Sequence, residues 1–353
     1  MSALIRRLPW PEAPAARAGR GGRIWPVLLP FAGCPRRCLY CQQERQTDTP
    51  ARDLESAFAA MQEAMAAAPA GRTWDELAFY GGSFTALPEV WIERFLQAAA
   101  VWKRQGRIRR VRCSTRPDAV DAASLARWKA LGLDVVELGV QSFQEHALAV
   151  SGRGYDGETA RHACGLVRQA GLGLGVQLMP GLPGQQPGEA GQDVAQALAL
   201  RPEGIRLYPC LVLEDTALAA RWRQGLHRPR PLEAMAWTLG RAVLRCWEAG
   251  VPVWRMGVLE SPALAMHILA GPRHPALGTM ARSRAIFLWM RRHIPRREAA
   301  PDPPVRLILP RRASGEFWGV AGEMRPQYAR LGVLPRHVAW HDAETVEIME
   351  RMA

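Results

Sequence analysis

Six short apolar runs separated by amphipathic helix patterns leave this chain few ways to fold. The runs lie at residues 25–31, 76–80, 110–114, 135–140, 174–179 and 204–208. Helix patterns fill the gaps at 50–68, 88–105, 121–131, 158–170 and 187–200. Thr49 before Pro50 reads as an N-cap with proline in the first helical position. Gly106, Gly132 and Gly171 stand where helices should stop. Strands alternating with helices over short connections predict a parallel α/β array. Right-handed crossovers curl such an array into a full or partial barrel, or leave it an open doubly wound sheet.

In either form, reactive residues belong at the C-terminal ends of the strands. The unusual residues of this chain fall there. Cys34, Cys38 and Cys41 follow the first run, Gly81-Gly82-Ser83 the second and Ser114-Thr115-Arg116 the third. Gln141-Ser142 follow the fourth, and Met179-Pro180-Gly181-Leu182-Pro183-Gly184 the fifth.

The cysteines read Cys34-Pro-Arg-Arg-Cys38-Leu-Tyr-Cys41. A structural zinc takes four protein ligands, and no fourth cysteine or adjacent histidine lies nearby. Thiolates suit iron–sulfur chemistry, and a four-iron cluster on three cysteines keeps one iron open for another ligand. The other cysteines, Cys113, Cys164, Cys210 and Cys246, lack motif spacing and read as buried apolar residues. Cys-x3-Cys-x2-Cys with Tyr40 before the last cysteine resembles the radical SAM signature. Tyr80-Gly81-Gly82-Ser83-Phe84-Thr85 resembles that superfamily's glycine motif. Ser114-Thr-Arg-Pro-Asp118, Glu137-Leu-Gly-Val-Gln-Ser142 and Met179-Pro-Gly-Leu-Pro-Gly184 resemble the bacterial branch related to the elongator catalytic subunit. Leu207–Leu213, Thr216 and Trp254-Arg255 continue the resemblance, which covers about residues 24–280.

The resemblance implies a partial (β/α)6 radical SAM barrel that cleaves S-adenosylmethionine reductively and yields a 5′-deoxyadenosyl radical. Its metal ligands would be Cys34, Cys38 and Cys41. Gly81 and Gly82 would let the backbone approach the methionine end of S-adenosylmethionine, where a side chain would block the bound amine. Gln141 would bond the ribose hydroxyls, and Arg153, twelve residues on, the methionine carboxylate. Tyr40 would pack on adenine, with Gly181 at its border. Ser114 stands where many relatives carry an acidic residue, so its contact would be weaker. Tyr208 reads as a core tyrosine or a substrate-facing aromatic.

Residues 1–23 read as a flexible basic leader, 24–260 as the catalytic core, 261–304 as extension and linker, and 305–353 as a small α/β module. In that module Gly319-Val-Ala-Gly322 sits between two helix patterns flanked by strands, an order resembling a KH-type RNA module. Val320 and Ala321 bring no positive charge, and Glu323 follows. Too few residues follow 280 for the acetyltransferase domain of the elongator catalytic subunit, so acetyl transfer is not expected.

Hydrophobic residues make up 48% of the 353, enough for a sizeable core. Lys plus Arg outnumber Asp plus Glu by 46 to 33, a formal charge of +13. Such a field attracts polyanions, RNA or tRNA first. No apolar run reaches the length of a membrane span, and a reducing cytoplasm is the expected compartment. An external electron donor such as flavodoxin or ferredoxin would be needed. Two other readings stay open: radical chemistry on a small molecule such as a porphyrinogen, and a non-catalytic RNA-binding protein holding zinc.

Overall fold

A computed structural model describes residues 3–12, 22–69, 71–257, 262–294 and 305–351. The chain divides into two compact units. One comprises residues 19–231 and 253–273, the other 1–18, 232–252 and 274–353. Strand β1 (Ala3–Pro9) belongs to the second unit. The first is built on β2 (Ile24–Leu28), β3 (Trp74–Tyr80), β4 (Ile108–Thr115), β5 (Val135–Gln141), β6 (Gly173–Leu178) and β7 (Gly204–Leu207). After the short β8 (Val212–Leu213) come β9 (Val253–Met256) and β10 (Ile268–Ala270); β8 and β10 pair with each other, apart from the rest.

The other strands of this unit form one seven-stranded parallel sheet in the order β2-β3-β4-β5-β6-β7-β9, curled into a partial barrel. β5 is buried along nearly its whole length, as parallel strands covered on both faces must be. Aspartates set the helix starts: Asp53, Asp121 and Asp156 each accept from the backbone N–H three residues on. Gly106, Gly132 and Gly171 all take positive φ where helices end.

Two expectations change here. The helix expected from residue 50 begins at Leu54, because Asp53 rather than Thr49 is the cap. The barrel has seven strands rather than six. β9 is four residues long, and its pairing with β7 carries a register shift, so no regular periodicity marks it.

The second unit has a four-stranded sheet in the order β1-β13-β11-β12. Here β11 is Val305–Pro310, β12 Val338–His341 and β13 Thr345–Arg351. β1 pairs antiparallel with β13 from Ala3 to Pro9. Part of the expected leader is therefore a strand; its alternation ends at Trp10, whose N–H bonds Glu344 O. Residues 1–2 and 13–21 of that leader lie outside the described residues, as does the expected linker at 301–304.

The segment expected to be an extension contains a seventeen-residue helix, Leu277–His293, packed in this unit against the helix Leu232–Glu248. A helix buried on most faces shows no amphipathic period, so only burial reveals it. Gly240 permits the close crossing, since a Cβ there would lie 2.7 Å from that of Arg284. Arg284 is nearly fully buried and pairs with Glu233 (2.6 Å) and Glu323 (3.0 Å). The loop Gly319–Gly322 lies between two helices of one turn or so, and the Glu323 and Met324 side chains fill the space beside Gly319. No helix among the described residues is long and apolar enough to cross a membrane.

Candidate active site

The cysteine loop leaves β2 and locks onto the turn after β3. Leu29 N–H donates to Tyr80 O (2.7 Å), and Ser83 N–H to Ala32 O (2.7 Å). Gly81 and Gly82 are both in the left-handed region. A Cβ on Gly82 would sit 2.0 Å from Ala32 O, and one on Gly81 3.1 Å from the Leu29 carbonyl. Both glycines also line the cavity described below. The space a side chain would take is filled by the backbone of the cysteine loop. Gln43 completes the clamp, its Oε1 accepting from Phe31 N–H (2.5 Å) and Gly82 N–H (2.7 Å).

Cys34, Cys38 and Cys41 all line one cavity of about 470 Å³ at the C-terminal ends of the strands. Cys38 is buried, and the other two are partly buried. Burial, with Cys38 and Cys34 beside it, pushes the Cys41 thiol up to about 12, so a metal must displace its proton. Among the described residues, no three His, Cys, Asp or Glu side chains are gathered as for a single metal ion.

Two guanidiniums meet Cys38. Arg153 Nη1 lies 3.2 Å from its Sγ and Arg116 Nη1 3.9 Å. Arg116 is fixed by Asp118 (2.8 and 2.7 Å). Arg153 is fixed by the Tyr155 hydroxyl, which accepts from Nε (2.9 Å) and Nη2 (2.7 Å). The Tyr155 oxygen lies 2.8 Å from Gly139 O, to which it donates. Tyr40 is buried with its hydroxyl 3.4 Å from Arg153 Nη1, and burial holds its ionisation well above the usual range.

Ser114, Gln141 and Gly139 lie on the same cavity wall. Gln141 takes φ +67°, a strained conformation for a residue with a side chain. Its Oε1 accepts from Gln177 Nε2 (3.1 Å). A Cβ on Gly139 would lie 2.9 Å from Gln141 Nε2, so this glycine makes room for the amide. Tyr40, Gly81, Gly82, Ser114, Gln141 and Arg153 therefore come together with the cysteines. Gly181 does not: it lies off the cavity wall, its N–H given to Gln185 Oε1 (2.7 Å).

The cavity also has a charged side that sequence reasoning missed. Glu137, nearly fully buried, sits 2.9 Å from Arg206 Nε and 3.6 Å from Arg112 Nη1. Arg112 also meets Glu76 at 2.5 Å. The Tyr80 hydroxyl accepts from Arg112 (3.0 Å) and Arg206 (2.5 Å), and the Tyr208 hydroxyl from Arg206 (2.7 Å). Trp254 fits over Gly175 and Gly204, where a Cβ would lie 2.6 and 2.1 Å from its ring, and Arg112 stacks on it at 4.6 Å. Gln43, Asp118 and Tyr155 were missed as well. A charged residue inside an apolar parallel strand, as at 112, 137 and 206, is the available signal.

Residues 28–196 match the Radical SAM superfamily and residues 202–286 the Radical_SAM C-terminal domain. A "tRNA uridine(34) acetyltransferase" of Methanocaldococcus jannaschii is 28% identical over 184 residues, 51% of this chain and 32% of that protein. "Protein YhcC" of Escherichia coli K12 is 29% identical over 171 residues, 47% of this chain and 55% of that one. The chain thus spans about a third to a half of these relatives' lengths. Among solved structures, an archaeal Elp3 from Methanocaldococcus infernus superposes with a TM-score of 0.55 at 22% identity, covering 77% of this chain and 63% of that one. That likeness is one of fold.

Proposed function

The chain belongs to the radical SAM superfamily and its elongator-like branch, and on that footing we propose that Cys34, Cys38 and Cys41 hold a [4Fe–4S] cluster beside S-adenosylmethionine, for radical chemistry on RNA. The observation that carries this reading is the convergence of three thiols, two buried guanidiniums and the Gln141 amide on one cavity. The donor set fits a thiolate-held cluster: Cys34, Cys38 and Cys41 all face one cavity. When bound, the cluster and S-adenosylmethionine supply a 5′-deoxyadenosyl radical able to abstract hydrogen from a substrate.

The chain's own residues then bind and orient. Arg153 and Arg116 present positive charge to Cys38, offsetting the charge of ligating thiolates. Arg153 is also the candidate for the methionine carboxylate, because its fork is already held flat by Tyr155. Gln141 and Ser114 offer amide and hydroxyl partners for ribose. Buried Tyr40 and Met179 offer an apolar wall for adenine and keep water out. An external donor such as flavodoxin or ferredoxin would deliver the electron.

The RNA part rests on relatives named for tRNA chemistry and on the charge of +13. A second reading, a small anionic substrate such as a porphyrinogen, is favoured by the arginines on the cavity wall. Anaerobic reconstitution with dithionite and S-adenosylmethionine should yield 5′-deoxyadenosine, and total tRNA should raise its rate. Stimulation by a porphyrinogen instead would select the second reading. A colourless protein holding zinc and no iron would overturn both.

A further inference from the structure

We propose that the part of the cavity between β7 and β9 is an oxyanion subsite, in which Arg255 takes a carboxylate or phosphate group of the substrate. The proposal rests on the reading of this cavity as the reaction chamber.

The sheet register places Arg255 there. Ile205 pairs with Val253, but Arg206 pairs with Arg255, so residue 254 is an extra residue in the ladder. Such a bulge re-aims side chains. Here it seats Trp254 over Gly175 and Gly204 and also puts Arg255 on the cavity wall.

Charge then decides what is missing. Arg112, Arg206 and Arg255 share this region with two carboxylates, Glu76 and Glu137. Both are already engaged: Glu76 with Arg112, and Glu137 with Arg206 and Arg112. Arg255, half-buried and register partner of Arg206, has no carboxylate or carbonyl partner among the described residues. A guanidinium drawn partly out of water beside a second one is costly unless an anion meets it. The neighbouring Tyr208 hydroxyl accepts from Arg206 and donates to nothing among the described residues, so its proton is free to help. A planar fork plus one hydroxyl donor is suited to two oxygens of a carboxylate or phosphate. Arg153 lies against Cys38 and serves the other side of the same cavity.

The test reads Arg255 directly. The full chain is labelled with phenylglyoxal at fixed ionic strength in sodium chloride, and each arginine is followed by peptide mass spectrometry. Arg255 should label readily. Added sodium phosphate or sodium succinate should slow it by about fivefold or more while leaving Arg52 and Arg104, exposed and off the cavity wall, unchanged. Protection by phosphate alone identifies a phosphoryl group, and by succinate alone a carboxylate; both support the subsite. Protection by neither anion overturns it, as does an Arg255 that fails to label without them. Faster labelling of Arg255 in Glu260→Gln, which removes the carboxylate nearest to it along the chain, also overturns it, since the counter-ion would then be the chain's own. The same labelling is run on a Cys34→Ser/Cys38→Ser/Cys41→Ser variant, with iron measured separately on the unmutated chain. Protection without iron binding leaves the subsite standing and removes the cluster; iron binding without protection does the reverse.

Discussion

Arg153 meets Cys38 with one edge of its guanidinium while Tyr155 and the Gly139 carbonyl hold the opposite edge. The hydroxyl that accepts from Nε and Nη2 of Arg153 is itself anchored on Gly139 O. Tyr155→Phe removes the shared acceptor and leaves two buried N–H groups without it. A lost bond to a charged group costs roughly 1.5–3 kcal/mol. Affinity for S-adenosylmethionine should fall by about tenfold, while iron per chain stays unchanged, because no cysteine is touched. Equilibrium dialysis and iron analysis on the reconstituted protein check both. Equal loss of iron would show that Tyr155 supports the loop rather than Arg153.

Gly82→Ala should disable cluster loading through backbone collision. The new methyl would meet Ala32 O at 2.0 Å, and the position already has φ +58°. The cysteine loop must move, at a cost of about 3 kcal/mol or more. Gly71→Ala is the control: φ is +76° but nothing lies within 4 Å, so only the roughly 1–2 kcal/mol conformational cost applies. Urea unfolding and iron content should separate the two. Normal iron in Gly82→Ala would contradict the interlock.

Glu137→Gln tests the buried network. Glu137 and both arginines it meets are almost entirely out of solvent. Breaking such a pair on one side leaves an uncompensated charge, worth about 3–5 kcal/mol. Glu137→Gln should therefore unfold at clearly lower urea. Glu55→Gln, which loses an exposed pair with Arg94, should leave the urea midpoint nearly unchanged.

The sequence makes the sheet legible where strands are buried on both faces, since they then read as apolar runs. It hides β9, whose ladder is broken at residue 254, and the helix Leu277–His293, whose burial erases any stripe. The cysteines, Gln141 and Arg153 are legible because the motif spacing is local. Gln43, Tyr155 and Arg206 are not, because each acts through a partner distant in the chain: Gly82, the cavity face of β5, and Glu137. Gly181 stands in an equally local motif, but its N–H is spent on Gln185 Oε1 and it is not among the residues lining the cavity.

Asp193 offers a test by pH. It is buried and accepts from Ser142 Oγ (2.8 Å), Phe143 N–H (2.8 Å), Gln144 Nε2 (3.2 Å) and Gln185 Nε2 (2.9 Å). Burial raises its ionisation above the ordinary 3.8, and the hydrogen bonds only partly counter this. A carboxyl with a raised folded value binds its proton more tightly when folded. Its contribution to stability is therefore fullest below the unfolded value and declines as pH rises through the folded one. Asp193→Asn has no such titration. Its amide nitrogen would also face donors, so it should be less stable than the native chain throughout. The difference in unfolding free energy between the two should shrink as pH climbs from below 3.8 and then level off. A difference that grows over that interval would mean the four donors outweigh burial. Because Gln185 also accepts from Gly181 N–H, slower hydrogen exchange at Gly181 in the native chain than in the variant would tie this carboxylate to the order of the loop after β6.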